Sequence, residues 1–464
     1  MKRIISMLLL AVMTVQMLLV TSSCAGDDDS FFSLGVAWNM GFGSEKITIP
    51  TDSKEPLYIA GYNNGYKTMG VIDTPCANAV WMDTGVGGVL LIGIDCVGCS
   101  SGTVSEIREA LSSFCRETNC VSVNVYSTHT HAGIDTLGLW GPVAVDGKNS
   151  DYMKNLVDAS ARAAKMAYAD RSEGSLYYGS ADTGDLLRDS REPAVYDPMI
   201  YQIRFDSADS ENNGIRLLSY SAHAESLRGN NRRISRDFPG ALADNIKAEC
   251  GDDVMYMPGA VGGLIMTREL TEPFLAEKNM RETAKRLTDA VLSITEETKV
   301  SPELSYARTE MKIPLDNTFF FFGKFLGILD HKTSRGESET GYLIHSELGV
   351  LTLGEITLAL VPGEIFPELV SGVGLCEGDP SPLCEIAGDY GREKLLVIGL
   401  SNDELGYIVT PSTYLLNDEL PYIKGAIDER GENHYEETNS VSISMASCVA
   451  DAFERCLEAL SSHR

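Results

Sequence analysis

The sequence predicts an α/β protein, a single large domain with mixed β-sheets flanked by helices and a metal site at the strand ends. Three observations predict it. Short apolar runs alternate with amphipathic helical segments along most of the chain. No Pro- or Ser-rich linker interrupts residues 34–464. Several histidines and carboxylates follow directly after apolar runs, where α/β folds bind their ligands.

The first elements form a strand–helix–strand unit. Residues 79–83 and 88–95 are predicted strands joined by a tight turn, and the second is apolar throughout, which indicates burial on both faces. Residues 103–115 have helical apolar spacing after capping Thr and Ser residues. Residues 120–127, CVSVNVYS, are the next strand. This order predicts a parallel crossover.

The later elements continue the α/β pattern. Helices are predicted at residues 151–170, 238–249 and 270–296 and at the C-terminus. Strands are predicted at 199–207, 214–223, 253–259 and 309–315, in a hairpin at 349–364 that turns at Gly354-Glu355, and at 395–403 and 406–409, which close the sheet. Residues 319–329, FFFFGKFLGIL, are read as core or as the lining of an acyl-chain groove.

The N-terminus has the pattern of an export signal over residues 1–23. A basic start, MKR, is followed by the uncharged run Ile4 to Val20 and then by small residues. This run is short for a membrane span, although an uncleaved anchor is the alternative. Cys24 stands where a lipoprotein would be lipidated, and simple cleavage nearby is the other interpretation. Residues 24–33 are predicted to be a short acidic linker.

These features predict an exported protein, either secreted or periplasmic and at the cell surface. Membrane contact is expected only through a lipid anchor at Cys24 or through a lipid substrate. The net charge of −28 disfavours nucleic acid as a partner. The oligomeric state does not follow from the sequence.

The cysteines predict disulfide bonds. The chain has 11, and ten remain without Cys24, an even number in an exported protein. Cys96 and Cys99, in CVGC, are most simply a structural bridge, and a thioredoxin-like redox motif is the alternative. Two other pairs flank short loops: Cys115 with Cys120, and Cys376 with Cys384.

Two histidines follow the strand 120–127 in the sequence YSTHTHAG. If the extended conformation continues, His129 and His131 point to the same face as Val123 and Val125. Two imidazoles on one face can reach one metal ion. The HxH pattern alone is a weak signal, so further ligands are needed.

Other apolar runs end in groups that bind zinc. His223 ends RLLSYSAH, Glu364 follows the Pro-Gly turn of ALVPGE, and Tyr407 follows LVIGLSNDELG. Histidine nitrogens with a carboxylate and a further oxygen suit Zn2+ with an open position for water. Each residue also has a purely structural alternative. His223 could be a buried histidine with its hydrogen bonds satisfied within the protein, Glu364 a carboxylate in a turn, and Tyr407 a tyrosine in the core.

At this point the chain resembles a known family, the neutral (alkaline) ceramidases, over roughly residues 34–445. The segments that carry the resemblance are EKITIP, YIAGYNNGYKTMGVID, VLLIGIDCVG, STHTHAG, SYSAHAESLRGNNRRISRDFPGAL, PGAVGG, ALVPGE and GLSNDELGYIVTPSTY. The family's catalytic domain is a zinc-dependent hydrolase of the ceramide amide. The resemblance therefore implies an exported amidohydrolase that uses zinc-activated water on an N-acyl sphingoid lipid or a related acyl amide.

The resemblance also implies roles for particular residues. His131 would not hold the metal but would either support the metal ligands from outside or stabilise the oxyanion, and Tyr435 would help to polarise the scissile carbonyl. The spacing before Tyr435 is longer than in the family. The implied zinc ligands are His129, His223, Glu364 and Tyr407.

The sequence also departs from the family. A motif like GxxGDxSP is replaced by GAVGGLIM, so that Gly263 stands for the Asp and Ile265 for the active-site Ser. This departure favours an alternative, a non-catalytic or substrate-diverged zinc-binding protein of the same fold. The immunoglobulin-like C-terminal domain of larger relatives is expected to be absent.

Overall fold

A computed structural model describes residues 28–209, 212–272 and 274–462. The predicted signal peptide over residues 1–23, Cys24 and residues 25–27 lie outside this range. Residues 28–33, which the sequence assigns to a linker, belong instead to a strand. The linker prediction is wrong there because the acidic residues precede Phe31, which is buried in the core between the sheets.

The described chain alternates strands and helices. The strands are β1 (Asp28–Leu34), β2 (Trp38–Lys46), β3 (Cys76–Asp83), β4 (Gly88–Ile94), β5 (Cys120–Ser127), β6 (Ser172–Asp182), β7 (Leu187–Arg188), β8 (Met199–Ser207), β9 (Ile215–Tyr220), β10 (Asp253–Pro258), β11 (Met266–Thr267), β12 (Thr298–Val300), β13 (Glu303–Pro314), β14 (Thr333–Arg335), β15 (Tyr342–Leu353), β16 (Ile356–Leu360), β17 (Glu364–Ile365), β18 (Lys394–Ile398), β19 (Tyr407–Ile408), β20 (Ala426–Ile427) and β21 (Asn433–His434). The α-helices are α1 (Ser101–Thr118), α2 (Ser150–Asp170), α3 (Asp237–Cys250), α4 (Ala276–Leu292), α5 (Thr318–Phe325), α6 (Pro367–Ser371), α7 (Leu383–Asp389) and α8 (Met445–Ser461). None of them is long and apolar enough to cross a bilayer.

Two mixed sheets form the centre of the molecule. The larger has the order β10-β9-β8-β6-β2-β3-β4-β5, with β12 beside β6. The smaller has the order β1-β13-β15-β16-β18, with β14 beside β15. The pairs β4–β5, β9–β10 and β16–β18 are parallel, and the other pairs in these sheets are antiparallel. The parallel β4–α1–β5 crossover predicted from the sequence is confirmed.

The two sheets pack face to face, and helices cover their outer faces. The shared core contains Val80 and Leu91 from the larger sheet and Leu351 and Leu358 from the smaller one. Helices α1 and α2 pack on the outer face of the larger sheet, α3 and α4 pack beside β9 and β10, and α8 packs on the smaller sheet. This four-layer arrangement confirms the predicted mixed sheets flanked by helices.

Most predicted elements are present, and two differ. The helix predicted at 270–296 is shorter, Ala276–Leu292, and its first turn has no side-chain cap. Residues Tyr407–Ile408 do not close a main sheet but pair with Glu364–Ile365 in a separate parallel ladder. The Gly-rich turns before both segments account for this, because Gly363 and Gly406 have positive φ and lead the chain out of the sheet.

The chain segments that follow β5, β9, β16 and β18 meet at one end of the molecule. The chain after β5 pairs with the chain after β9 through Thr130 and Ala224. It also meets the chain after β18, where Asn402 N–H donates to Val125 O at 2.6 Å. This junction brings together segments that are hundreds of residues apart in sequence.

Candidate metal centre

The two histidines of YSTHTHAG lie at this junction, but not in an extended strand. Strand β5 ends at Ser127, and His129 has a positive φ of 61°. The predicted continuation of the strand is therefore wrong. The left-handed residue turns the chain so that the two imidazoles meet edge to face, with 3.1 Å between His129 Nε2 and His131 Nε2.

Two histidine rings are fixed by backbone carbonyls on their outer side. His129 Nδ1 lies 2.6 Å from Val97 O, and His223 Nδ1 lies 2.8 Å from Ile265 O. A carbonyl only accepts, so each Nδ1 donates its proton, and each Nε2 points towards the centre, where it can bind a cation once it is unprotonated. Outer hydrogen bonds of this kind are typical of histidines that bind metals.

Glu364 completes the centre. Its Oε2 lies 2.9 Å from His223 Nε2 and 3.5 Å from His129 Nε2. The potential ligand atoms of His129, His131 and His223 all lie within 4.8 Å of one another, so these three residues could hold a metal ion. Three imidazoles with one carboxylate form a donor set that suits zinc and related divalent ions.

Tyr407 is placed beside Glu364 by the short parallel ladder β17–β19, in which the two residues are partners. Its hydroxyl lies 3.2 Å from the hydroxyl of Tyr435, and the two rings meet at 90°. Burial, followed by the charge of Glu364, raises the pKa of Tyr407 well above its usual value. Without a cation nearby, this hydroxyl therefore stays protonated.

Burial and neighbouring charges together shift the pKa values of the histidines and of Glu364. Burial lowers the pKa of His223, but its hydrogen bond to Glu364 outweighs this and raises the pKa to about 9. Burial also raises the pKa of Glu364, but the attraction of His129 and His223 outweighs it, and the net shift is downward. Burial, and then the neighbouring histidines His129 and His223, lower the pKa of His131. In the absence of a metal ion, the buried carboxylate of Glu364 is therefore stabilised by His129 and His223, the residues that would bind a cation together with it.

A cavity of about 360 Å³ opens onto the centre. His129, His131, Glu364, Tyr407 and Tyr435 line it, whereas His223 lies behind them and is almost fully buried. Its apolar wall is formed by Leu137, Leu139, Trp140, Phe319, Phe320 and Leu329. All six site residues predicted from the sequence are therefore brought together, five of them at the cavity surface.

The apolar segment 319–329 is partly core and partly cavity wall. It begins as helix α5, capped by Asn317, whose side chain accepts from Phe319 N–H and Phe320 N–H. Phe320 and Leu329 are buried, while Phe322 and Phe325 are each 61% exposed. The core interpretation is thus correct for part of the segment, and Phe319, Phe320 and Leu329 line the cavity. That this wall receives an acyl chain stays a prediction.

The loop that departs from the family motif supports the centre. Ile265 is fully buried in the core, and its carbonyl is the acceptor for both the N–H and the Nδ1 of His223. The segment around Gly263 does not line the cavity. The replacement GAVGGLIM therefore leaves the histidine orientation intact.

Comparisons with known proteins show the fold. No protein-family model matches the chain, and no curated protein matches its sequence. Among solved structures, a neutral ceramidase from Pseudomonas aeruginosa is similar, with a TM-score of 0.71 and 17% identity over 92% of this chain and 75% of that chain. The chain has the neutral ceramidase fold. A structure described as ceramidase complexed with C2 agrees, with a TM-score of 0.70, 16% identity and the same coverages.

Two residues of this ceramidase-fold centre were not predicted from the sequence. Glu225 lies two residues after His223, and its Oε2 accepts a hydrogen bond from the Tyr62 hydroxyl. The same oxygen lies 3.8 Å from His131 Nδ1. The sequence signal for Glu225 is its position in SAHAES, where a carboxylate shares the parity of His223 in a buried run. Tyr62 has no comparable signal.

No two of the ten cysteines in the described ranges lie at disulfide distance. Cys96 Sγ and Cys99 Sγ lie 3.6 Å apart, and both residues are buried. The predicted disulfides, including Cys115 with Cys120 and Cys376 with Cys384, thus remain predictions.

Thiol labelling of the native protein tests the two interpretations of CVGC. We expect an alkylating reagent, mapped by mass spectrometry, to modify exposed Cys250 if it is free and to leave Cys96 and Cys99 unmodified, because both are buried. Cys96 and Cys99 should then appear after denaturation, as a disulfide or as two thiols. Rapid modification of Cys96 in the native protein would instead support the redox alternative.

Proposed function

We propose that the protein is an exported, zinc-dependent amidohydrolase that cleaves the amide of an N-acyl sphingoid lipid or a related acyl amide. One observation carries the proposal: His129, His223 and Glu364 converge at the base of a cavity that has an apolar wall, within a neutral ceramidase fold. The sequence motifs that surround these residues favour the same activity.

The proposed zinc ligands are His129, His223, Glu364 and Tyr407. The donors fit the ion, since both imidazoles present Nε2 inward and Glu364 Oε2 lies between them. When bound, zinc supplies an electrophile and lowers the pKa of a coordinated water to about 7.

The protein's own groups act on the amide. Tyr435 keeps its phenolic proton, because burial raises its pKa, and its hydroxyl lies at the cavity beside Tyr407. We assign it to donate to the carbonyl oxygen of the scissile amide. His131 also faces the cavity, and once its Nε2 carries a proton it stabilises the oxyanion as a donor.

The cavity wall supports a lipid substrate. Trp140, Phe319 and Leu329 offer apolar surface next to the polar base, so a hydrocarbon chain can be removed from water while the amide reaches the centre. The ceramidase neighbours support the same substrate class. Head group and chain length are left open.

An alternative function is a zinc-binding protein of this fold that has lost catalysis or changed its substrate. The observation in its favour is the replacement of the active-site Ser motif by GAVGGLIM. Two observations oppose this alternative. The Ile265 carbonyl still orients the His223 ring through Nδ1, and Tyr435 lines the cavity.

Export remains part of the proposal. The pattern of residues 1–23 supports a secretory signal, with the chain secreted or lipid-anchored at Cys24. No nucleic-acid partner is proposed, given the net charge of −28.

Metal analysis combined with an N-acylsphingosine hydrolysis assay tests the proposal. We expect about one zinc per chain, hydrolysis that a chelator abolishes, and recovery when zinc is added back. Zinc without hydrolysis of any acyl amide would favour the alternative function. Less than about 0.2 zinc per chain in the wild type would contradict the metal site itself.

A further inference from the structure

One polar residue of the cavity wall has no part in the metal centre or in the proposed chemistry. Glu404 lines the cavity together with Glu364 and Tyr407, and it is 7% exposed. Its Oε2 is buried and makes no hydrogen bond within the described residues. A buried carboxyl oxygen without a partner is costly, so its place in a cavity wall points to a hydrogen bond that a ligand supplies.

The other polar side chains of the wall that are outside the proposed centre are engaged within the protein. The Tyr62 hydroxyl, the Asn64 amide and the Asn439 amide each donate a hydrogen bond to another protein group. Glu404 differs from these three residues because one of its two carboxyl oxygens is left unpaired.

The carboxyl group of Glu404 is held at a fixed place. Its Oε1 accepts the Gly406 N–H at 3.0 Å, and its own N–H donates to Asp403 Oδ1 at 2.9 Å. Gly98 lies so close that a Cβ there would be 2.8 Å from Glu404 Cγ. Oε1 is therefore committed to the chain turn that follows, and Oε2 is the atom left for a ligand.

We propose that Glu404 is a specificity-determining residue, whose Oε2 binds a hydroxyl group that the substrate carries close to the scissile amide. For the identity of that amide the inference rests on the proposed function. It narrows the substrate from any acyl amide to the amide of an N-acyl amino alcohol.

A neutral hydroxyl suits this position better than a cation or a hydrocarbon. It both donates and accepts, so it satisfies the oxygen whether or not the carboxyl group carries a proton. A substrate cation is disfavoured, because the centre in the same cavity is proposed to hold a divalent ion. A hydrocarbon chain would leave the oxygen unpaired, and it finds apolar surface at Trp140, Phe319 and Leu329 instead.

Two probes that differ only in their hydroxyl groups measure this discrimination. They are N-dodecanoylsphinganine and the same molecule without its two hydroxyl groups, both presented in the same detergent micelles. Metal-free wild-type protein should bind the hydroxylated probe at least about tenfold more tightly. With zinc bound, the wild type should show a kcat/KM at least about 30-fold higher on the hydroxylated probe.

The substitution Glu404→Met removes the oxygens and keeps an unbranched side chain of similar length. We expect both ratios to fall below about three, with zinc retained. Glu404→Gln should keep at least about half of the binding ratio, because its amide oxygen still accepts the Gly406 N–H and its NH2 donates to the hydroxyl. The matched control is Glu368→Met, at a residue that is also 7% exposed but does not line the cavity, and both ratios should stay as in the wild type.

A purely structural Glu404 would weaken the binding of both probes alike in Glu404→Met and leave the ratios unchanged, which would overturn the inference. A wild-type binding ratio below about three overturns it as well. If Glu404→Met does not fold, Glu404→Asp replaces it. That variant withdraws the oxygens by one methylene, so the binding ratio should again fall below about three, and a ratio like that of the wild type contradicts the inference.

Binding is measured on metal-free protein, so the two proposals fail separately. A wild type that binds the probes with the expected ratio but hydrolyses neither of them supports the role of Glu404 and contradicts the proposed function. Hydrolysis of both probes with equal kcat/KM supports the proposed function and overturns the inference.

Discussion

The variant His129→Ala should lose both zinc and hydrolysis, while His131→Ala should keep zinc and lose rate. His129 Nε2 lies 3.5 Å from Glu364 Oε2, and its ring is locked by Val97 O, so its removal takes away an oriented ligand. We expect less than about 0.2 zinc per chain and a fall in kcat/KM of about 10⁴-fold or more. For His131→Ala we expect about one zinc per chain and a kcat lower by about 10²–10³-fold.

Metal analysis and kinetics on the same preparations give both readouts. The matched control is His345→Ala, because His345 lies outside the centre and contacts Glu310 and Ser334. It should retain zinc and wild-type rate. The assignment of unequal roles is wrong if His129→Ala and His131→Ala lose zinc alike, since His131 would then be a ligand as well.

The positions of the strand ends could be predicted from the sequence, because the run of apolar residues that marks a buried strand is a local pattern. Four runs of apolar residues end at or just before His129, His223, Glu364 and Tyr407, which marks these residues as following strands. Their meeting is not a result of parallel pairing alone, because β5 and β9 run in opposite directions in the larger sheet. The separate ladder of Glu364 and Tyr407 was not predictable, because it depends on turns at Gly363 and Gly406 whose direction is decided by packing.

The backbone conformation of His129 and the residues around His131 also could not be predicted from the sequence. A positive φ at a histidine is uncommon, and here it is supported by the contact of the ring with Val97 O, 32 residues away. Tyr62 and Glu225 are 163 residues apart, and no local pattern links them. Long-range polar pairs of this kind depend on the complete fold, whereas apolar periodicity does not.

Asp403, the residue that anchors the loop carrying Tyr407, should be the most sensitive position outside the centre. It is fully buried and accepts hydrogen bonds from Ser101 N–H at 2.7 Å, Ser346 Oγ at 2.8 Å and Glu404 N–H at 2.9 Å. His331 Nε2 lies 2.9 Å from its Oδ1. We expect Asp403→Asn to lower the free energy of unfolding by about 3–5 kcal/mol, because a buried ion pair loses one partner.

Urea denaturation of metal-free protein measures this loss, with Asp146→Asn as the control. Asp146 is 3.9 Å from Lys148 and its side chain is 40% exposed, so its removal should cost about 0.5 kcal/mol or less. Equal midpoints for Asp403→Asn and the wild type would show that the buried pair contributes nothing to stability.

The pH dependence of stability shows whether His331 is charged in this pair. Burial lowers the pKa of His331, but the negative charge of Asp403 outweighs burial, and the net shift is upward. A raised folded-state pKa means that the pair's contribution is fully present below the unfolded value of about 6.5 and is lost as pH rises through the folded value. The stability difference between wild type and Asp403→Asn should therefore shrink as pH is raised from about 6 to 9. A difference that stays constant over this range would mean that His331 is neutral in the folded protein, and Asp403 would then hold the loop through its three hydrogen bonds alone.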